Sequence, residues 1–377
     1  MKVVVAMDSF KGSISSMEAG KACATGIWRA NPRTKVVVMP MADGGEGTME
    51  ALVEGLKGEY VECRAAGPCG ADVTARYGIV NKGQAAVIEL SQAAGLGLVD
   101  RFRLDPWKAT TRGVGQMILD AAERGCRDFV IGIGGSATTE GGIGMLDALG
   151  CVFYDAGGQR LPADLSSLAK IERIDRSGMP PVLENCYFRI ACDVRNTLCG
   201  KHGAVRVYGA QKGVKEEELN FLDVAMYHYA DVTAECTGKD YRKYPGAGAA
   251  GGLAFAFLSY LPHAELVSGS ELMIRTIGLE KKLEGADLVV TGEGRIDDQT
   301  VMGKVPVGVA KLAKKHHLKV IALAGSAADR AGMCNQAGIK AYFPIIREAS
   351  TLGEIMDPEI AKKNLILTAE QVFRLIL

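Results

Sequence analysis

Carboxylates, cations, hydroxyls and glycines cluster at five places in the chain, and most of these clusters come directly after a short apolar run. They read DSFKGS (8–13), ADGGEGT (42–48), GGSATTEGG (134–142), DVRN (193–196) and TGEGRIDDQT (291–300). Carboxylates can bind Mg²⁺ or accept a proton, and lysine and arginine can bind anions. Glycine lets backbone N–H groups approach a ligand closely. Together these residue types suit a site that holds an anion beside a carboxylate or a metal ion.

The hydrophobic pattern predicts the strands and helices that must position these clusters. Short runs that are apolar throughout are typical of strands buried on both faces of a parallel sheet. Helical spacing predicts the helices, and a Ser15–Glu18 capping box predicts where the first one begins. The predicted strands lie at about 3–7, 36–39, 129–133, 187–192, 288–291, 320–324 and 341–345, and the main predicted helices at about 15–30, 49–56, 111–123, 143–149, 216–235, 252–260 and 305–316, with another at the end of the chain.

Both ends of the chain alternate buried strands with helices, whereas the middle has a different pattern. Three strand-like segments between 60 and 89 follow one another closely, which is typical of antiparallel strands. The N-terminal end alone has too few strands for a covered parallel sheet, and the C-terminal third supplies about three more. We therefore predict an α/β protein of two domains, with a discontinuous parallel-sheet domain from 1–66 plus 285–377 and an inserted mixed α/β domain from 67–284.

The composition disfavours several classes of protein. The 377 residues include 44 Lys and Arg against 44 Asp and Glu, so no excess positive charge favours nucleic acid or an anionic membrane. The 10 cysteines contain no CxxC pair, and the 5 histidines form no cluster beyond His316 and His317, which argues against a zinc site or a disulfide framework. No apolar run approaches the roughly 20 residues of a membrane span, and no export signal is visible. We expect a cytoplasmic protein that acts on small molecules.

Several of the motifs also have a plainer interpretation. The glycine-rich loop after 129–133 suits an anion at a helix N-terminus, but it also suits a tight turn between a buried strand and a buried helix. A GxGxxG pattern at 246–251 follows Arg-Lys-Tyr-Pro rather than a strand, so close packing or a phosphate contact is favoured over a dinucleotide site. No Walker A sequence surrounds Lys304, and Cys192 has no neighbouring histidine, so a P-loop and a cysteine nucleophile are disfavoured.

Five segments together resemble the type-1 bacterial glycerate kinases. They are DSFK (8–11), ADGGEGT (42–48), GIGGSAT (132–138), PGAGAAGG (245–252) and TGEGRID (291–297), and they occur in the expected order over nearly the whole chain. The resemblance implies a flavodoxin-like domain interrupted by a mixed α/β domain. It also implies ATP-dependent phosphorylation of D-glycerate, usually to 2-phosphoglycerate.

Five loop positions depart from the pattern of that family. The family commonly has Pro, Glu, Asn, Asp and Pro at the positions of Met7, Gly12, Thr139, Glu140 and Thr197. Thr139 and Glu140 keep the polarity and the charge of the usual residues, so we expect binding to survive while substrate geometry and rate change.

Phosphoryl transfer needs a positioned substrate, a metal ion that bridges phosphates, cations near the developing charge and a carboxylate near the attacking hydroxyl. On that basis we predict that glycerate lies in the cleft between the domains, with Asp8 or Asp193 orienting its hydroxyl. Lys11 or Arg295 would hold its carboxylate. Mg²⁺ is the predicted cofactor and ATP the co-substrate. The predicted metal ligands are Asp43, Glu46, Glu293 and Asp297. The predicted substrate- and phosphate-binding residues are Ser9, Gly44, Gly45, Gly134, Gly135, Ser136, Thr138, Thr139, Asn196, Gly292, Gly294 and Lys304.

Two other classes of function stay open at this point. One is a related enzyme, such as a kinase for another small hydroxy acid or a glycerate 3-kinase. The other is a sensor that binds glycerate or a nucleotide without turnover. The sensor is disfavoured, because carboxylates add nothing to a site that only holds anions unless a metal ion or a proton transfer is involved. The expected partners are D-glycerate and ATP, without nucleic acid or membrane, and the chain is expected to be a monomer or a homodimer.

Overall fold

The computed structural model describes residues 1–100, 104–301 and 303–377, which contain both strands and helices. The strands are β1 (Lys2–Met7), β2 (Lys35–Pro40), β3 (Glu59–Ala66), β4 (Asp72–Val80), β5 (Ala85–Glu89), β6 (Asp128–Gly132), β7 (Val152–Tyr154), β8 (Arg173–Asp175), β9 (Tyr187–Ala191), β10 (His263–Val267), β11 (Leu288–Ile296), β12 (Lys319–Ala327) and β13 (Ala341–Pro344). The helices are α1 (Ser16–Ala30), α2 (Thr48–Leu56), α3 (Ser91–Ala94), α4 (Arg112–Glu123), α5 (Ile143–Ala148), α6 (Ala204–Tyr208), α7 (Leu219–Thr237), α8 (Leu253–Tyr260), α9 (Gly269–Ile277), α10 (Leu279–Leu283), α11 (Asp298–Val301), α12 (Val305–Lys315), α13 (Met333–Gln336), α14 (Leu352–Met356) and α15 (Pro358–Ile376).

A five-stranded sheet, parallel in all its pairings, joins the two ends of the chain. Its strand order is β13-β12-β11-β1-β2, and Val3 of β1 lies opposite both Leu288 of β11 and Val36 of β2. Counted along the chain among themselves, these strands have the flavodoxin-like order 2-1-3-4-5. The order reverses between β1 and β11, and such sheets bind their ligands at the carboxyl ends of the strands beside this switch point.

The strand β11 is longer than the sequence predicts. The expected strand ended at Thr291 and a polar loop followed, but β11 continues to Ile296, which lies opposite Ala327 of β12. Glu293 and Arg295 are therefore strand residues and not loop residues. The apolar pattern stops before the strand does, because the last residues of a strand at a ligand-binding edge can carry polar side chains and still pair with a neighbouring strand.

The first compact unit consists of residues 1–57 and 268–377. Alternate residues of β1, namely Val3, Val5 and Met7, are fully buried in a core that they share with α1 and with α15 of the C-terminal end. The helix α1 begins at the expected capping box, in which the Glu18 N–H donates to Ser15 Oγ (3.2 Å) and the Ser15 N–H donates to Glu18 Oε2 (3.0 Å). The two ends of the chain thus build one core.

The second compact unit consists of residues 58–267. Its six-stranded sheet has the order β10-β9-β6-β5-β4-β3, in which β10, β9, β6 and β5 pair in parallel and β4 and β3 are antiparallel. The predicted antiparallel strands and the predicted fold class, a parallel-sheet part interrupted by a mixed α/β part, are confirmed. The pattern did not predict β10, which is short and only partly buried.

The limits of the two units differ from the domain limits predicted near residues 66 and 285. The strand β3 belongs to the second unit because it pairs with β4 along its whole length. The helices α9 and α10 belong to the first unit, where α9 packs on α2 and α12. The predicted placement of an active site between the domains stays a prediction. Among the described residues, no helix is long and apolar enough to cross a bilayer.

Candidate active site

The strand β1 ends at Met7, opposite Gly292 of β11, and Asp8 is the first residue after it. The Asp8 N–H donates to the carbonyl of Gly292 (2.8 Å), which ties the start of this loop to the neighbouring strand. Only 3% of Asp8 is exposed, and its Oδ1 accepts a hydrogen bond from the Ser9 N–H (2.7 Å). A buried carboxylate is thus held at the switch point of the sheet, where ligands of such folds bind.

Two buried carboxyl groups near this point have strongly raised pKa values. Burial raises the pKa of Asp8 to about 7, and the charge of Asp43 adds to the effect while Lys11 opposes it. Burial also raises the pKa of Glu293 to about 7, against the hydrogen bond from Thr300 and the charge of Lys304. A carboxyl group whose pKa lies near neutral pH is suited to accept and release a proton.

Lys11 and Asp43 form an ion pair that links the loops after β1 and β2. Lys11 Nζ donates to Asp43 Oδ2 (2.7 Å), with 60% of the lysine side chain and 18% of the aspartate side chain exposed. Partial burial lowers the pKa of Lys11, but Asp43, Asp8 and Glu293 outweigh it and the pKa lies above its ordinary value. The ammonium group is therefore charged and open to solvent, as an anion-binding group must be.

Glu293 is held by residues that follow it closely in sequence. The Thr300 hydroxyl donates to Glu293 Oε1 (2.6 Å), and Lys304 Nζ lies 3.9 Å from Glu293 Oε2. The Thr300 N–H, in α11, donates to Asp297 Oδ1 (3.3 Å), which ties the end of β11 to the start of α11. We predicted no role for Thr300 from the sequence, because a threonine among other polar residues has no distinguishing pattern.

These side chains surround one cavity of 340 Å³ in the first unit, which is large enough for a small ligand. Its polar wall contains nine of the predicted site residues: Asp8, Ser9, Lys11, Asp43, Glu293, Gly294, Arg295, Asp297 and Lys304. An apolar wall, which the sequence did not predict, is formed by Phe10, Ile345, Ile346, Leu352, Ile355, Met356 and Ala361.

Four other predicted residues of the first unit do not line this cavity. Gly44 and Gly45 belong to the turn after Asp43, where the Gly45 N–H donates to Asp43 Oδ1 (3.1 Å), and Glu46 is exposed. Gly292 is buried in β11, where it pairs with β1 and β12. The metal-binding role predicted for Glu46 stays a prediction, as do the ligand-binding roles of the three glycines.

The glycine-rich loop after β6 lies in the second unit, and it is partly exposed and partly buried. Gly134 and Gly135 are exposed, whereas Ser136, Thr138 and Thr139 are buried. The hydroxyls of Thr138 and Thr139 have no hydrogen-bond partner among the described residues. Gly134 and Gly135 are thus the exposed part of the loop, and the binding roles predicted for Gly134, Gly135, Ser136, Thr138 and Thr139 stay predictions.

Lys212, which the sequence did not single out, holds this loop from inside the second unit. The side chain is buried, and its Nζ donates to Ser136 Oγ (2.8 Å) and to the carbonyl of Thr138 (2.6 Å). Burial lowers the pKa of Lys212 to about 7, and the charge of Glu140 opposes this effect. Glu140 is itself buried, and its Oε1 accepts from the Thr111 N–H (2.7 Å).

Replacing Lys212 by methionine should lower the free energy of unfolding by about 1–3 kcal/mol, because a buried carbonyl and a buried hydroxyl lose their donor. Urea denaturation of the whole protein would measure the change. Lys201, which is exposed in the same unit, provides the matched control Lys201→Met. An unfolding midpoint of Lys212→Met equal to that of the control would contradict the structural role of Lys212.

The glycine-rich segment 246–252 packs against this loop instead of following a strand. The Gly141 N–H donates to the carbonyl of Gly251 (2.9 Å), and a Cβ atom at Gly251 would overlap the Thr138 carbonyl. Gly251 and Gly252 also have positive φ angles of 67° and 94°. The segment is therefore glycine-rich because two backbone segments approach closely, which is the packing interpretation given for its GxGxxG pattern.

Asp193 and Asn196 also lie in the second unit. Asp193 is exposed, whereas the side chain of Asn196 is engaged within the loop. Asn196 Nδ2 donates to the carbonyl of His202 (3.0 Å), and Asn196 Oδ1 accepts from the Tyr208 hydroxyl (2.8 Å). Their predicted roles at the substrate stay predictions.

The described residues contain no group of three or more His, Cys, Asp or Glu side chains placed to hold a metal ion by themselves. Mg²⁺ is usually held by one or two carboxylates together with water and substrate phosphates, so it does not need such a group. Asp43, Glu293 and Asp297 line the cavity and offer oxygen ligands of the required kind. The donor set therefore fits a magnesium ion that arrives with a nucleotide.

Comparisons with known proteins place these motifs in a family. The model of the glycerate kinase family matches residues 3–377. "Glycerate 2-kinase" of Escherichia coli is 44% identical over 94% of this chain and 93% of its own length. "Glycerate kinase" of Haemophilus influenzae is 40% identical over 100% of this chain and 99% of its own length. A crystal structure described as a glycerate kinase 2 from Salmonella typhimurium LT2 matches with a TM-score of 0.92 and 40% identity, over 100% of this chain and 98% of that one.

Proposed function

This chain belongs to the glycerate kinase family, and on that premise we propose that it transfers the γ-phosphoryl group of ATP to the 2-hydroxyl of D-glycerate with the help of Mg²⁺. The family predicted from the sequence, and with it a kinase as the class of enzyme, is confirmed by the match over residues 3–377. The choice of the 2-hydroxyl is supported by the E. coli relative, which is named a glycerate 2-kinase.

The observation that carries the proposal is the buried carboxylate of Asp8 at the switch point of the parallel sheet. Its raised pKa of about 7 suits a group that orients the attacking hydroxyl and takes its proton. Asp193 was the alternative for this role. We favour Asp8, because it is buried and lines the cavity, whereas Asp193 is exposed.

The cations of the polar wall suit the two anionic partners of the reaction. Lys11 and Arg295 would bind the glycerate carboxylate, since both line the cavity that Asp8 lines. Lys304 lies beside Glu293 and would stabilise the charge that develops on the transferred phosphoryl group. The exposed residues Gly134 and Gly135 are further candidates for a phosphate contact through their backbone N–H groups.

Asp43, Glu293 and Asp297 would hold the magnesium ion together with phosphate oxygens. The ion would neutralise phosphate charge and align the phosphoryl group for transfer. Burial keeps Glu293 partly protonated at neutral pH in the free protein, so binding of the cation should ionise it.

A coupled ADP-release assay with D-glycerate, ATP and Mg²⁺ tests the proposal, and phosphorus NMR of the product identifies the phosphorylated hydroxyl. We expect turnover that depends on all three components and a 2-phosphoglycerate signal. A 3-phosphoglycerate signal would overturn the choice of hydroxyl but not the kinase. Absence of ADP release with D-glycerate, or faster release with another small hydroxy acid, would overturn the substrate.

A further inference from the structure

The apolar wall of the 340 Å³ cavity has no role in the proposed chemistry of glycerate. Leu352 and Ile346 line it although 72% and 38% of their surfaces are exposed. Ile345, Ile355 and Met356 extend the same wall. Large apolar side chains that stay uncovered beside convergent polar groups are typical of a ligand-binding surface.

The structure holds this wall in a defined position beside the polar loops. The helix α14, which carries Leu352 and Met356, begins with a capping box in which the Thr351 N–H donates to Glu354 Oε2 (2.8 Å). At its other end, Met356 packs against the loop after β1, since a Cβ atom at Gly12 would lie 2.9 Å from Met356 Cε. The apolar and polar walls are therefore parts of one preformed cavity.

The two substrates of the proposed reaction differ in what they can offer to such a wall. Each of the three carbons of glycerate carries oxygen, so glycerate has no apolar surface to bury. ATP combines a flat base with largely apolar faces and a triphosphate that needs cations and a metal ion. A cavity with one apolar and one charged wall is complementary to ATP along its length.

We infer that the apolar wall around Leu352 and Ile346 is the binding site of the adenine base, with the triphosphate directed to Lys304 and the carboxylates of the polar wall. This inference rests on the proposed function, because it takes ATP as the phosphoryl donor. Ligand binding at the β1–β11 switch point of the sheet agrees with the behaviour of other doubly wound sheets. The segment between β13 and α15 is then the part of the chain that contacts the base.

The test compares the binding of ATP with that of inorganic tripolyphosphate, which has the three linked phosphates of ATP but no ribose and no base. Isothermal titration calorimetry with Mg²⁺ would give both dissociation constants for the wild type and for Leu352→Ser. We expect this substitution to weaken ATP binding by about tenfold, the effect of losing one apolar contact in a binding site, and to leave tripolyphosphate binding unchanged. Leu375, which is 84% exposed at the end of α15, gives the matched control Leu375→Ser, for which neither constant should change.

Three results would overturn the inference. The first is unchanged ATP binding in both Leu352→Ser and a second variant, Ile346→Ala. The second is an equal loss of binding for ATP and for tripolyphosphate. The third is weaker binding of D-glycerate without weaker binding of ATP. Because binding is measured without turnover, the outcome is separate from that of the proposed function. A protein that binds ATP through Leu352 but does not phosphorylate D-glycerate would keep the adenine site and reject the substrate.

Discussion

Replacing Asp8 by asparagine should lower kcat for glycerate phosphorylation by about 10²–10⁴-fold, the usual contribution of a positioned general base. The amide has the shape of the carboxylate, and its oxygen can still accept the hydrogen bond that the Ser9 N–H gives to Asp8 Oδ1 (2.7 Å). Folding should therefore survive while proton acceptance is lost. ADP release at saturating ATP and D-glycerate would measure the effect.

The matched control lies at the opposite ends of the same two strands. Asp287 is exposed beside the start of β11, and its Oδ2 accepts from the Lys2 N–H (2.6 Å). Asp287→Asn should keep kcat close to that of the wild type. If Asp8→Asn retained more than a tenth of the wild-type kcat, Asp8 would not be the base, and the second predicted candidate, Asp193, would have to be tested.

The pH dependence of kcat/KM in the wild type should reflect the ionisation of Asp8. Because burial raises the pKa of Asp8 to about 7, the carboxyl group is mostly protonated below that pH and cannot accept a proton there. We expect kcat/KM to fall as the pH drops through about 7 and to level off above it. Glu293 has a pKa of about 7 as well, so Asp8→Asn should show a shallower fall but not a flat profile.

Replacing Lys11 by alanine should lower kcat/KM for D-glycerate by about 10–100-fold, which is what loss of a hydrogen bond to a charged group costs. The substitution removes the cation that faces the cavity and leaves Asp43 without its 2.7 Å ion pair. The KM of D-glycerate should account for most of the change. Steady-state kinetics with glycerate varied at saturating ATP would measure it, and Lys11→Arg should recover part of the loss.

Lys319, exposed at the start of β12, provides the control for this measurement. Lys319→Ala removes the same charge from the same sheet at the end away from the cavity, so its kcat/KM should match that of the wild type. An unchanged kcat/KM in Lys11→Ala would remove Lys11 from the site and leave Arg295 as the group that binds the carboxylate.

The first two strands could be predicted closely because each is short, apolar and followed by polar residues. The run 3–7 became β1 and the run 36–39 became β2, each extended by no more than one residue at either end. Grouping the two chain ends into one sheet followed from counting strands, and the pairing of Val3 with Leu288 agrees with it. The polar clusters that follow these strands could be predicted to lie together, because the carboxyl ends of parallel strands share one edge of the sheet.

Other parts of the site could not be read from the sequence. The apolar wall is formed by residues such as Ile346 and Leu352, which look like ordinary core residues until their exposure is known. Lys212 lies 76 residues from the serine that it contacts, and a single lysine in a chain with many carries no pattern. The burial of Thr138 and Thr139 was also hidden, because hydroxyls in a glycine-rich loop suggest exposure.

The pairing of β1 with β11 has a consequence for how the protein is made. The hydrogen bond from the Lys2 N–H to Asp287 joins residues 285 positions apart, and the whole second unit lies between them. A chain that emerges from the ribosome N-terminus first must keep β1 without its neighbour β11 until Leu288–Ile296 has been synthesised. The cavity then closes only when Leu352 and the rest of α14 have been added. Catalytic competence should therefore arise only after α14 has been synthesised, and a chain that stops before β11 should lack this cavity.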